Sequence, residues 1–108
     1  MKIENTEAQM RKGILELCVL SITDKEPVYP SDILKQLKAC KLLVVEGTIY
    51  PLLNRLSKAQ LLAYDWVESE TGPPRKYYKT TDNGKEVLTH LKSHWEKLQS
   101  SVQQLVAN

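Results

Sequence analysis

The stretch VEGTIYPLLNRLSKAQLLAYDW, residues 45–66, decides the fold. Ile49, Leu52, Leu53 and Leu56 recur at helical spacing, and at 100° per residue the three leucines fall within about 60° of Ile49. Gly47, Pro51, Asn54 and Lys58 gather on the opposite side, flanked by Thr48, Tyr50 and Arg55. A helix that only faces water usually carries Glu and Lys there. This one carries small, aromatic and hydrogen-bonding residues. Arg bonds guanine bidentately, Asn does the same with adenine, and Tyr and Thr hydroxyls hold phosphate oxygens. Gly47 and Pro51 leave the backbone open to close approach. Pro51 is expected near the helix start, where amides lack intrahelical partners.

Outward from this helix the punctuation is sparse. Met10 to Ile22 is densely apolar and predicts a buried first helix, which TDKEPVYP (23–30) breaks with Pro27 and Pro30. PSDILKQLKAC (30–40) predicts a second helix, with Pro30 or Ser31 at its start, Asp32 at its positive end and Ile33, Leu34 and Leu37 facing inward. KLLVV (41–45) is a connector, and the third helix runs from about Glu46 to Ala59. LLAYDWVES and RKYYKTT then flank ETGPP, predicting a β-hairpin with a Gly-Pro loop. Thr81 or Asp82 is the expected N-cap of a long last helix. The order helix, helix, helix, hairpin, helix is that of a winged helix-turn-helix, mainly α with a β-hairpin wing. Arg75 and Lys76 follow the wing tip, where phosphates would be met.

The 108 residues predict one domain, and 42% apolar with 26% charged residues is ordinary for a folded protein. No apolar run reaches membrane-spanning length, and MKIENTEAQMRKG at the start has no apolar signal core, so a cytoplasmic protein is expected. Cys18 and Cys40 predict free thiols, and no Cys/His spacing suggests structural zinc. The formal net charge is only +2, but residues 30–80 hold eight basic and five acidic side chains, so the middle of the chain is its basic part. No Ser-His-acid set, carboxylate pair or phosphate loop points to an enzyme, and no cofactor is expected.

The last helix has its own pattern. Leu88, Leu91, Trp95, Leu98, Val102 and Leu105 are spaced 3, 4, 3, 4, 3, a heptad seam held for nearly three repeats. Residues 82–106 would span roughly 37 Å as a helix, wider than the winged domain. Much of the seam therefore predicts a second copy of the chain, the alternative being packing onto the first helix of the same subunit. His90 and His94 lie four apart with Glu86 one turn away, a spacing that can hold a metal. Without a completing carboxylate they read as a solvated pair beside the seam, and no metal site is predicted.

These motifs resemble the PadR family of bacterial transcriptional regulators. EGTIYPLLNRLSKAQLL is similar to the family's recognition-helix pattern, GPPRKYYKTTDNGKEVL to its wing and last-helix entry, and RKGILELCVLSIT to its first helix. The resemblance covers nearly the whole chain and is to the small members with one C-terminal helix. It implies a winged helix-turn-helix DNA-binding domain over residues 1–80 and a C-terminal dimerisation helix over 81–108, forming one compact unit. It implies a homodimeric repressor on double-stranded, pseudo-palindromic DNA, with Ser31, Thr48, Tyr50, Asn54, Arg55, Lys58, Arg75 and Lys76 as the DNA-contact set. Some multidrug-sensing members stack flat aromatic ligands on a Trp placed like Trp95, which implies an effector site there; an interface-filling Trp is the plainer alternative. The chain departs from the family at Gln60, where Gly usually ends the helix, at Pro30-Ser31, where Gly-Tyr is frequent, and at Pro73, where the wing usually has Arg. The rival reading is a winged-helix protein-interaction module that does not bind DNA. A partner-docking helix would expose aliphatics where this one shows Tyr50, Asn54 and Arg55.

Overall fold

The computed structural model describes residues 1–107. Five helices and one hairpin follow in the order α1 (Ile3–Lys12), α2 (Leu15–Lys25), α3 (Pro30–Ala39), α4 (Glu46–Lys58), β1 (Leu62–Ser69), β2 (Gly72–Thr80) and α5 (Asp82–Val106). The sequence pattern predicted one helix from Met10 to Ile22. Instead the chain breaks at Gly13 and Ile14, giving an amino-terminal helix without a buried residue and a core helix behind it. The apolar run from Leu15 onward marks only the second of these.

The core is one cluster. Val19, Leu20, Ile33, Ile49 and Leu53 are fully buried, and Leu37, Leu52, Leu56, Leu62 and Tyr78 close around them. The apolar face of α4 thus lies against α3 and the base of β1 as its periodicity predicted, and the opposite face is left outward. Thr23 and Thr80 are buried among these side chains and are mutually satisfied, with their hydroxyls 2.7 Å apart. One of the two hydroxyls donates across the pair while the other gives its hydrogen to a carbonyl of α2, that of Val19 at 2.9 Å from Thr23 or that of Leu20 at 3.0 Å from Thr80. Two buried hydroxyls without partners would each cost free energy, so the pair fixes β2 against α2.

The hairpin is antiparallel, with Leu62 opposite Thr80, Tyr64 opposite Tyr78 and Trp66 opposite Lys76. The predicted Gly-Pro loop is corrected. Gly72, Pro73 and Pro74 lie inside β2, and the reversal is at Glu70 and Thr71 after an irregularity between Val67 and Ser69. The two prolines sit near the tip of a two-stranded ribbon, where their missing amides cost least. Val28 adds a bridge unseen in the sequence: its amide donates to the Tyr78 carbonyl at 3.0 Å, and Tyr78 donates back at 2.7 Å.

Two helices end on non-glycine residues in the left-handed region, Lys41 and Gln60, both with φ of 63°. At Gln60 the sequence departs from a glycine habit, and the backbone keeps the geometry regardless. The Gln60 amide reaches the Ser57 carbonyl at 3.0 Å and Leu61 reaches that of Leu56 at 2.9 Å, a Schellman closure of α4. Pro51 lies six residues into α4 rather than at its start. It removes the amide that would pair with Gly47, beyond the first turn where the loss is free.

α5 begins on Thr81, whose hydroxyl accepts from the Gly84 amide at 2.9 Å and donates to the Gln60 carbonyl at 2.7 Å. Gly84 packs against the chain where α4 turns into β1. A Cβ there would collide with the Leu61 carbonyl oxygen and lie 2.7 Å from Thr80 Cγ2. Alanine is the better helix former, by about 1 kcal/mol, but the clash is with backbone that cannot move aside. Gly84→Ala is therefore expected to lower stability by about 1–3 kcal/mol despite the propensity gain, read as a reduced denaturant midpoint with an unchanged m-value.

Candidate nucleic-acid interface

α4 presents two flanks, and they have different neighbours. Tyr50 and Asn54 lie on the wing side. With Tyr29, Ser31, Arg75, Lys76 and Tyr78 they line one open hollow between α4, the start of α3 and the hairpin. On the other flank Gly47, Thr48, Pro51 and Arg55 line a second hollow, completed by Lys12 and Leu15. The sequence reading grouped Tyr50, Asn54 and Arg55 on one face. Their positions around α4 separate them: Tyr50 and Asn54 face the wing, and Arg55 faces α2, where its Nη2 donates to Glu16 Oε1 at 2.6 Å. Lys58 is exposed at the last turn of α4. A Cβ on Gly47 would meet nothing within 4 Å, so no packing inside this chain requires glycine there.

Cations of the wing rest on aromatic faces. Arg75 Cζ lies 4.8 Å from the Tyr29 ring centroid, and Lys76 Nζ lies 4.4 Å from that of Tyr64 and 5.3 Å from that of Trp66. Such contacts order a long basic side chain without neutralising it. Among the described residues the ion pairs are Arg55 with Glu16 and Lys85 with Asp24, so Arg75 and Lys76 keep their charge, although Asp65, Glu68 and Glu70 lie on the same hairpin. Burial pushes the Tyr78 phenol up, with smaller additions from Tyr64 and Tyr50, so it stays a neutral hydroxyl. The supporting aromatics Tyr29, Tyr64 and Trp66 escaped the sequence reading. Alternation along β1 and β2 was the available signal, since it places Tyr64, Trp66, Lys76 and Tyr78 on one sheet face. Glu16 was missed too, because it stands 39 residues from its partner.

A different surface runs along α5. Leu88 is buried in the chain's own core and Leu91 packs against that core, which corrects the expected dimer seam at its first position and narrows it at its second. Trp95 is half-buried. Leu98, Val102 and Leu105 are 44%, 47% and 84% exposed, so the seam opens progressively toward its end. Trp95, Leu98 and Val102 form an apolar groove with Met10 and Ile14. His90 and His94 are both exposed, and the described residues contain no group of three or more metal-binding side chains. Cys18 and Cys40 are free, and burial, followed by the nearness of Cys40, pushes the Cys18 thiol up. No described helix is long and apolar enough to cross a membrane.

Comparison with known proteins agrees with this geometry. The model of the transcriptional regulator PadR-like family matches residues 19–90, from α2 through the wing into α5. A PadR-like transcription factor of Bacteroides fragilis is 51% identical, covering 94% of this chain and 99% of its own, with a TM-score of 0.78. A PadR family transcriptional regulator of Eggerthella lenta is 34% identical over 98% of this chain and 93% of its own, with a TM-score of 0.89. A PadR-like transcriptional regulator of Bacillus cereus is 40% identical over 93% and 98%, with a TM-score of 0.81. The chain also spans 54% of the length of an uncharacterized protein of Lysinibacillus sphaericus, 29% identical over 59 residues. A family model that covers the helix-turn-helix and the wing together, and solved structures alike over nearly their whole length, give one conclusion: this chain belongs to the PadR-like family of transcriptional regulators, which are not enzymes.

Proposed function

We propose that the chain is a cytoplasmic repressor that binds double-stranded, pseudo-palindromic DNA as a homodimer. α4 enters the major groove, with Asn54 and Arg55 addressing base edges and Thr48, Tyr50 and Lys58 on the sugar-phosphate backbone. Ser31 at the start of α3, and Arg75 and Lys76 on the wing, take flanking phosphates. The observation that carries this reading is the hollow between α4 and the wing, where Ser31, Tyr50, Asn54, Arg75 and Lys76 converge as hydroxyls, an amide and cations without carboxylate partners. Hydroxyls, an amide and guanidinium or ammonium groups are the donors that duplex DNA engages.

The second copy is supported by the open half of the α5 seam. Leu98 and Val102 are only partly covered within the chain, and Leu105 and, on α1, Met10 are mostly exposed, at 84% and 73%. An isologous contact along α5 would bury both stripes at once and give the two-fold symmetry that half-sites one helical turn apart require. The apolar groove at Trp95 would then lie at the interface, open to a flat aromatic effector whose binding shifts the two reading helices relative to one another.

The test is binding to duplexes from the region upstream of the chain's own gene, measured against salt. Specific affinity should fall steeply as salt rises, and Lys76→Ala should reduce the slope of log K against log salt by about 1 while leaving sequence preference intact. Binding that is indifferent to both salt and sequence would count for the protein-interaction reading. Gly47→Ala separates a functional from a folding role. Its melting temperature should hold or rise, since alanine favours helix by about 1 kcal/mol, while operator affinity should drop roughly tenfold or more as the added methyl lifts the backbone from the groove. For the effector, Trp95 emission should change on titration with planar aromatic compounds and lose that response in the presence of an interface-breaking Leu98→Asp change; a silent panel leaves Trp95 as packing.

A further inference from the structure

The ion pair between Arg55 and Glu16 joins two helices at points that the core holds still. Arg55 stands between Leu52 and Leu56 on α4, both buried, and Glu16 follows buried Leu15 in the first turn of α2. A carboxylate in that turn is favoured by the helix dipole. With both backbones fixed, only the two side chains have freedom, and Arg55 Nη2 donates to Glu16 Oε1 at 2.6 Å in a charge-assisted bond. Only that nitrogen is engaged, so the remaining guanidinium donors stay free.

The pair is poorly suited to a purely stabilising role. The side chains of Arg55 and Glu16 are 64% and 43% exposed, and a singly bonded pair that open to water adds little to stability. A carboxylate on the flank of a DNA-reading helix is also a liability, because it repels phosphate. Here it is compensated by Arg55, and Lys12 lines a hollow together with Glu16. We propose that Glu16 is a positioning residue for base readout: it holds the Arg55 guanidinium off the phosphate backbone and aims its free donors at a guanine in the major groove. The inference rests on the reading of α4 as the DNA-contacting helix and adds to it a residue on a helix that itself reads no base.

This role has a signature that loss of a structural contact would not produce. Glutamine at position 16 removes the negative charge and weakens the hold on Arg55. The freed guanidinium then adds to general phosphate attraction while its directional contact is lost. The experiment selects duplexes from a randomised pool with the wild-type chain, then measures base preference for wild type, Glu16→Gln and Arg55→Ala on the selected sequence and a scrambled one. Arg55→Ala should abolish a guanine preference at one position per half-site. Glu16→Gln should weaken preference at that same position on the order of tenfold, bind the scrambled duplex as tightly as wild type or tighter, and melt at the same temperature. In the double variant, Glu16→Gln should add nothing at that position to the effect of Arg55→Ala. The inference is overturned if Glu16→Gln keeps the full preference that Arg55→Ala loses, or if it weakens selected and scrambled binding in equal proportion. A wild-type chain that selects sequences but shows no preference traceable to Arg55 overturns the inference alone. A wild-type chain that enriches no sequence overturns the DNA reading and the inference with it.

Discussion

Three structural elements meet at Thr81 and depend on how they meet. Its hydroxyl takes the Gly84 amide and gives its own hydrogen to the Gln60 carbonyl, while its amide reaches the Leu61 carbonyl at 3.1 Å. One residue thus closes the hairpin, caps α5 and ties both to the end of α4. Gly84 allows the approach because any side chain there would strike the Leu61 carbonyl. The angle between α4 and the wing, and the direction in which α5 leaves the domain, follow from this junction. So does the strain accepted at Gln60, whose left-handed backbone lets the chain turn directly from helix to strand.

With that junction set, the surfaces divide. The buried threonine pair and the Val28 bridge hold the base of the wing against α2 and α3, so the hollow beside Tyr50 and Asn54 has fixed walls. Its basic side chains are ordered by aromatic rings rather than by carboxylates, which leaves their charge for an anionic partner. The opposite flank of α4 is tied to α2 through Arg55 and Glu16. Contact chemistry is therefore unpaired on the wing side and held in reserve on the α2 side.

α5 shows the same division along its length. Its first two turns complete the core through Gly84 and Leu88, and its far half, from Leu98 to Leu105, extends a stripe of exposed aliphatic side chains. The molecule is 56 Å long against 33 and 22 Å in its other dimensions. A single helix thus belongs to the core at one end and is largely exposed at the other, and the Thr81 junction ties its core end to the end of α4.

Several features were legible from residues alone. The period of Ile49, Leu52, Leu53 and Leu56 named the buried face of α4, the alternation of Leu62, Tyr64 and Trp66 named a strand, and Thr81 announced the last helix. Local period and capping chemistry suffice for these because they act over a few residues. The outward face of α4 was legible as a composition, but its division between the wing and Glu16 was not, since that depends on which helix lies alongside. The heptad seam misled at Leu88 for a related reason: spacing shows that a stripe is apolar, while only packing decides whether its own subunit already covers it. The Val28 bridge was likewise decided by contact between segments far apart in the chain, since its partner is Tyr78. Sequence by itself determined most of the elements, though not the division of the first helix at Gly13, and the chemistry each one carries; tertiary structure alone decided which of those groups are paired and which remain free, because pairing depends on distance in space and local pattern contains none.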